Sequence, residues 1–197
     1  MTPDDIIPLF THPEGYRCAR WGRPIVPIVF GVEDDTLALV KGAVEAVVAT
    51  AGHRMAEHDP ELGANLMVFF VREWAELRDV PDLHHLLPDP GALTGDVARM
   101  FRFDGHGAIR LGLLVLRMGG ALADAPAEPL VLDQAARMML TWAGDPPMLE
   151  NGALRPDIAA ILRAAYDPIL PPRAEDPSHA FRLAARAAAV PGQNSPA

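Results

Sequence analysis

The sequence feature that most constrains the fold is a continuous apolar run, Leu66 to Val71 (LMVFFV). A strand with one face in water alternates apolar and polar residues, whereas an unbroken short run is typical of a strand buried on both faces. We therefore expect Leu66 to Val71 to be a central strand of a sheet. Ala108 to Met118 (AIRLGLLVLRM) predicts a second long strand.

The remaining segments predict one more strand and several helices around this sheet. Residues 23–31 (RPIVPIVFG) indicate another strand, and Pro27 favours a place at the sheet edge because proline has no N–H to donate. Apolar residues at helical spacing predict helices over 34–52, 129–142, 156–166 and 178–189, with a shorter one over 94–101. Strands and helices in this order, without regular alternation, favour an α+β fold in which helices pack mainly on one side of a mixed sheet.

We expect one domain, because 197 residues can bury a single core. Turn-forming and aromatic residues in 1–22 predict an irregular N-terminal arm laid over that core. Residues 23–190 would form the domain. Residues 191–197 (PGQNSPA) are typical of a disordered tail.

Charge and composition exclude several classes of function. A net charge of −9 argues against nucleic acid as a partner, because binding to phosphates needs a basic surface. No apolar run approaches the roughly 20 residues that cross a bilayer, which predicts no transmembrane segment. The acidic start, Met1 to Asp5, lacks the basic residues of a secretory signal and predicts a cytoplasmic protein. Cys18 is the single cysteine and is expected to be a half-buried thiol.

No intact catalytic or metal-binding motif is present, and we expect no cofactor. The two serines, Ser178 and Ser195, do not lie in a nucleophile elbow. None of the histidines has a second histidine four residues away, the spacing that places two imidazoles on one helical face. A metal site built from separate segments would draw on His53, His58, His84, His85 and His106.

Three short patterns resemble the DUF2927 family of bacterial proteins. They are RWGRPI at Arg20 to Ile25, the segment LVLDQAARMMLTWAGD at Leu130 to Asp145, and the pattern D....LR..YDP at Asp157 to Pro168. The resemblance implies a zincin-like fold, a metallopeptidase relative without a settled function, and an exported protein or lipoprotein. That location differs from the cytoplasmic one that the acidic start predicts.

The resemblance also places the segment Leu132 to Ala136 where a zincin carries its HExxH motif. Zinc needs imidazoles at i and i+4 with an adjacent glutamate as general base, and this helix has no histidine. Asp133 is instead expected to pair with Arg137 on the exposed face of the helix. The sequence therefore predicts a degenerate member of the family without peptidase activity.

The leading functional hypothesis is a non-catalytic interaction or accessory protein with a protein partner. Its interaction surface would include Tyr16, Trp21 and Trp74. One alternative is a metal-dependent hydrolase that uses the dispersed histidines. Another is a small-ligand carrier that uses Met138, Met139 and Met148, although methionine at helical spacing more often fills a core.

Overall fold

The protein is built on a mixed sheet, which we describe from a computed structural model covering residues 1–80, 83, 91 and 93–189. In chain order the strands are β1 (Thr11–His12), β2 (Gly15–Tyr16), β3 (Cys18–Ala19), β4 (Pro27–Phe30), β5 (Leu66–Val71), β6 (Val97–Phe103), β7 (Ile109–Arg117), β8 (Leu149–Glu150), β9 (Ala153–Leu154) and β10 (Arg173–Ala174). The α-helices are α1 (Pro3–Ile6), α2 (Asp34–Thr50), α3 (Ala127–Arg137), α4 (Pro156–Ala165) and α5 (His179–Ala189). Short 3-10 helices span Ile7–Phe10 and Trp74–Asp79.

Within these residues the main sheet has the strand order β4-β5-β7-β6. The pairs β4–β5 and β5–β7 are parallel, and β6 is antiparallel to β7. The prediction that Leu66 to Val71 forms a central strand is confirmed, as is the edge position of the strand that contains Pro27. Helix α2 connects the parallel strands β4 and β5, as a parallel crossover requires.

The two faces of the sheet are covered differently. Each α-helix contributes buried apolar side chains to a large core on one face, which also receives Leu66 and Val68 of β5. Alternate residues of the same strand, Phe69 and Val71, enter a smaller cluster on the other face together with Leu77 of the second 3-10 helix. The α+β class and the mixed sheet are therefore confirmed, with the α-helices on one face.

The predicted short helix over residues 94–101 is wrong. Val97–Phe103 is strand β6, which pairs with β7 from Val97 opposite Leu116 to Phe103 opposite Ile109. Periodicity cannot decide a segment as short as this, whereas the ladder with β7 supplies hydrogen bonds along its whole length. The predicted helix over 129–142 is real but shorter, since α3 begins at Ala127 and ends at Arg137.

The prediction of an irregular, exposed N-terminal arm is also wrong in part. The first 22 residues contain α1 and the β1–β2 pair, and β3 pairs with β10. Trp21 is 0% exposed and Tyr16 is 5% exposed, so neither lies on a surface. Cys18 is buried rather than half-buried. These side chains lie in the main core because strand pairing and a helix hold this segment against it.

No helix in the described part of the chain is long and apolar enough to cross a membrane. Residues 191–197, which the sequence predicts to be a disordered tail, lie outside the described residues, as do 81–82, 84–90, 92 and 190.

Candidate functional site

A cleft of about 420 Å³ lies between strand β6 and the C-terminal end of α3. Four arginines line it, namely Arg17, Arg99, Arg102 and Arg137. Its apolar walls include the aromatic residues Phe101, Phe103 and Trp142. This combination of cationic and aromatic side chains makes the cleft a candidate binding site.

Strand β6 supplies one wall. Side chains alternate across a strand, so Val97, Phe101 and Phe103 pack on the same face as the helices. Arg99 shares that face and reaches α3, where its guanidinium donates to Gln134 Oε1 at 2.8 Å. The same guanidinium donates to Asp145 Oδ1 at 2.9 Å. Strand β6 thus places the guanidinium of Arg99 next to the C-terminal part of α3.

Helix α3 supplies the opposite wall with an ion pair at i and i+4. The Nε atom of Arg137 donates to Asp133 Oδ2 at 2.7 Å, and its Nη2 atom donates to Asp133 Oδ1 at 3.2 Å. The predicted pairing is therefore confirmed. The predicted exposure is wrong, because Arg137 is only 9% exposed. The Arg137 guanidinium also donates to Asp145 Oδ1 and to the Pro146 carbonyl, so the turn that contains Asp145 and Pro146 covers this side chain.

Two carboxylates, Asp133 and Asp145, pair with Arg99 and Arg137, which leaves Arg17 without an acidic partner among the described residues. Asp145 Oδ1 accepts from both Arg99 and Arg137. Burial, and then the neighbouring cation of Arg137, lower the pKa of Arg99. The guanidinium of Arg17 lies 5.9 Å from the centre of the Phe103 ring. Its buried Nε atom has no hydrogen-bond partner among the described residues.

The polar groups of the cleft suit binding better than acid–base chemistry. A guanidinium keeps its proton at any ordinary pH. The hydroxyl of Thr141 donates to the Arg17 carbonyl at 3.0 Å and accepts from the Ala19 N–H at 2.9 Å, so it is engaged in fixing the backbone. His12 Nε2 lies 3.1 Å from the Thr141 carbonyl.

The predicted metal ligands are not brought together in the described residues. His53 Nε2 donates to the Arg23 carbonyl at 2.9 Å, and burial lowers its pKa. His58 and His106 are exposed. His84 and His85 lie outside the described residues. In the part of the chain that the structure describes, no group of three His, Cys, Asp or Glu side chains is placed to hold a metal ion.

The other residues predicted to form a site are engaged in a hydrogen bond within the fold or lie in the core. Trp74 is partly exposed, and its Nε1 atom donates to the Gly95 carbonyl at 3.3 Å. Met138, Met139 and Met148 are each 1% exposed and fill the core. The cavity next to Met138 measures about 10 Å³, which is too small to hold more than one water molecule. This space does not suit a carried ligand.

A second polar cluster fastens β4 to β5. The buried carboxylate of Asp59 accepts from the N–H groups of Glu61 and Leu62 and from Asn65 Nδ2, at 2.9 to 3.0 Å. Asn65 Oδ1 accepts from the Val26 N–H at 2.8 Å. Burial opposes ionisation of Asp59, but the two backbone donors, then Asn65 and Arg23, outweigh it and lower the pKa to about 2.

We expect Asp59→Asn to lower the free energy of unfolding at pH 7 by about 2 kcal/mol, since a pKa depressed from 3.8 to about 2 stabilises the fold by about that amount. This contribution is present above pH 4 and is lost as the pH falls from about 4 to 2. Urea unfolding at pH 7 and pH 3 measures this contribution of Asp59, and Asp124→Asn, at an exposed position, is the control. Equal stability of the two variants at pH 7 would contradict the structural role.

Sequence reasoning missed Arg17, Arg99 and Arg102 as members of one cleft. The available signal was weak: Lys41 is the only lysine among the 17 basic residues, so arginine is the cation that this chain uses. Arginine is favoured where planar recognition matters, but composition does not say which arginines converge. The cleft is interpreted from its own geometry, since no protein-family model, curated protein or solved structure matches the chain.

Proposed function

We propose that this chain is a non-catalytic, zincin-like protein that acts by binding a protein partner in the cleft between β6 and α3. The observation that carries the proposal is the Asp133–Arg137 ion pair. Zincins use two histidines at i and i+4 of one helix to hold zinc. In the segment Leu132 to Ala136 these two positions are occupied by Leu132 and Ala136, and Asp133, at the place of the general base, is bonded to Arg137 at 2.7 Å.

The DUF2927 resemblance supports the zincin-like assignment at one specific place. It identified the segment Leu132 to Ala136 as the counterpart of the metal-binding helix. That segment lies within α3. The turn that follows, which contains Trp142 and Gly144, also lines the cleft. Arg137, which pairs with Asp133 of that segment, lines the cleft as well, so the cleft adjoins the helix to which the resemblance points.

The character of the cleft supports a binding role. Arginine and aromatic residues are the types enriched at the centres of protein interfaces. Within the described residues, β6 pairs with β7 alone and forms one edge of the main sheet. An edge strand can accept an extended segment of another chain through backbone hydrogen bonds, while neighbouring pockets select its side chains. Such a segment is the occupant that this cleft suits.

Affinity capture with quantitative mass spectrometry tests this function. The bait is the full chain, and Arg17→Glu is the cleft variant because Arg17 makes no side-chain hydrogen bond in the described residues. We expect a partner enriched by the wild type and reduced at least roughly tenfold with Arg17→Glu, the effect of one lost charged contact. Arg54→Glu, at an exposed position that does not line the cleft, should retain the partner.

Two results would contradict the proposal. One is a wild-type bait that enriches nothing above a denatured bait. The other is a partner that binds Arg17→Glu as well as wild type, which would place the interface elsewhere. Thermal melting of each variant beforehand ensures that loss of binding does not reflect unfolding.

A further inference from the structure

We infer that the group recognised inside the cleft is a carboxylate, presented by the partner segment either at its C-terminus or on an acidic side chain. The inference rests on the proposed function, because it names the chemistry of the ligand that the cleft binds. It starts from a local excess of positive charge in a chain whose net charge is −9.

The first step is the sharing of Asp145 between two cations, of which Arg137 is buried and also pairs with Asp133, and Arg99 is partly exposed. The Arg99 and Arg137 guanidiniums donate to the same oxygen of Asp145, at 2.9 and 3.1 Å. The side chain of Asp145 is 75% exposed, so water screens its charge, whereas those of the arginines are 22% and 10% exposed. A second anion beside Arg99 would therefore be bound favourably.

The second step is the unused hydrogen-bonding capacity of Arg17. No acceptor in the described part of the chain receives a hydrogen bond from its guanidinium, which lies 5.9 Å from the centre of the Phe103 ring. Arg173 lies 5.3 Å from the centre of the same ring. An aromatic ring holds a guanidinium by cation–π attraction and leaves its N–H groups free to donate. Arg17 is thus positioned by the ring and has no acceptor among the described residues.

The third step selects the anion. The planar fork of arginine matches carboxylate and phosphate alike. A polyanion would be repelled by the net negative charge of the protein, and Asp133 and Asp145 stand beside the arginines. A single carboxylate carries the smallest charge that satisfies Arg17. The apolar walls at Phe101 and Trp142 suit the residues that flank it in a peptide.

Binding of short probe peptides to the full chain tests the inference by isothermal titration calorimetry. The parent probe is acetyl-Ala-Phe-Ala-Ala-Phe-Ala with a free C-terminus. The second probe is its C-terminal amide, and the third is the amide with its central Ala-Ala replaced by Glu-Ala. Sodium succinate and inorganic phosphate are titrated alone to detect free anions.

We expect at least one carboxylate probe to bind roughly 10-fold or more tightly than the uncharged amide, with binding that weakens between 50 and 500 mM NaCl. Preference for the first probe identifies a terminal carboxylate, and preference for the third identifies an acidic side chain. Arg17→Gln should remove most of the difference, and Arg17→Lys should restore it partly because charge returns without the planar fork. Arg54→Gln should bind as wild type does.

Four outcomes would overturn the inference: no binding of any carboxylate probe, equal binding of the amide, phosphate or succinate binding as tightly as the peptides, or an unchanged preference in Arg17→Gln. Each leaves the proposed function separately testable, because captured partner protein could still depend on the cleft through apolar and backbone contacts. If Arg17→Glu lost the captured partner while the probe peptides showed no carboxylate preference, the proposed function would be supported and the carboxylate inference would be overturned.

Discussion

Trp21→Ala is expected to lower the free energy of unfolding by about 4 kcal/mol, the typical cost of removing a buried tryptophan. The side chain of Trp21 is 0% exposed, and its Nε1 atom donates to the Met138 carbonyl at 2.8 Å. Its ring packs against Gly112, where an added Cβ would approach Trp21 to 3.0 Å. The truncation therefore creates a cavity and leaves a buried carbonyl without a donor.

Chemical denaturation at pH 7 measures this loss, with two variants as references. Trp21→Phe keeps most of the volume and removes the indole N–H, so we expect a loss of about 1–2 kcal/mol. Trp74→Ala, at a partly exposed position, should cost less than about 1 kcal/mol. If Trp21→Ala were no more destabilising than Trp74→Ala, the packing of the N-terminal segment into the core would be wrong.

The second large effect is expected on acidification, through His179 at the start of α5. This imidazole is 2% exposed, its Nδ1 atom bonds the Tyr16 hydroxyl at 3.0 Å, and its Nε2 atom has no partner in the described residues. Burial, and then the positive charge of Arg182, lower the pKa of His179 to about 4. The folded protein thus holds a neutral imidazole at pH values where the unfolded chain takes up a proton.

The sign follows from this difference in proton uptake. The stabilising contribution is complete above pH 6.5 and falls by about 1.4 kcal/mol per pH unit below it, to a total loss of about 3 kcal/mol near pH 4. Urea unfolding between pH 7 and pH 4 measures the slope. His179→Gln should flatten the profile in this window, because glutamine does not titrate.

The matched control for this experiment is His106→Gln, since His106 is exposed. Its pH profile should follow that of the wild type. A profile of His179→Gln that keeps the wild-type slope would show that other groups cause the acid sensitivity.

The sequence predicted most elements whose pattern is carried by many residues. The run at Leu66 to Val71 became β5 with the expected bounds, and the segment at Pro156 became α4 with proline in its first turn. The strand β6 was missed because Val97–Phe103 is short and mixes apolar residues with arginine. Its state depends on β7, which lies beside it and provides the ladder.

The sequence by itself determined the α+β class, the central apolar strands and the absence of histidine from α3, because periodicity, β-branched composition and residue identity are local properties. Only the tertiary structure decided that Trp21 is in the core, that Arg137 is buried, and that Arg17 and Arg99 meet across one cleft. These facts depend on contacts between residues far apart in the chain. Their free energy comes from packing and charge pairing that no short stretch of sequence contains.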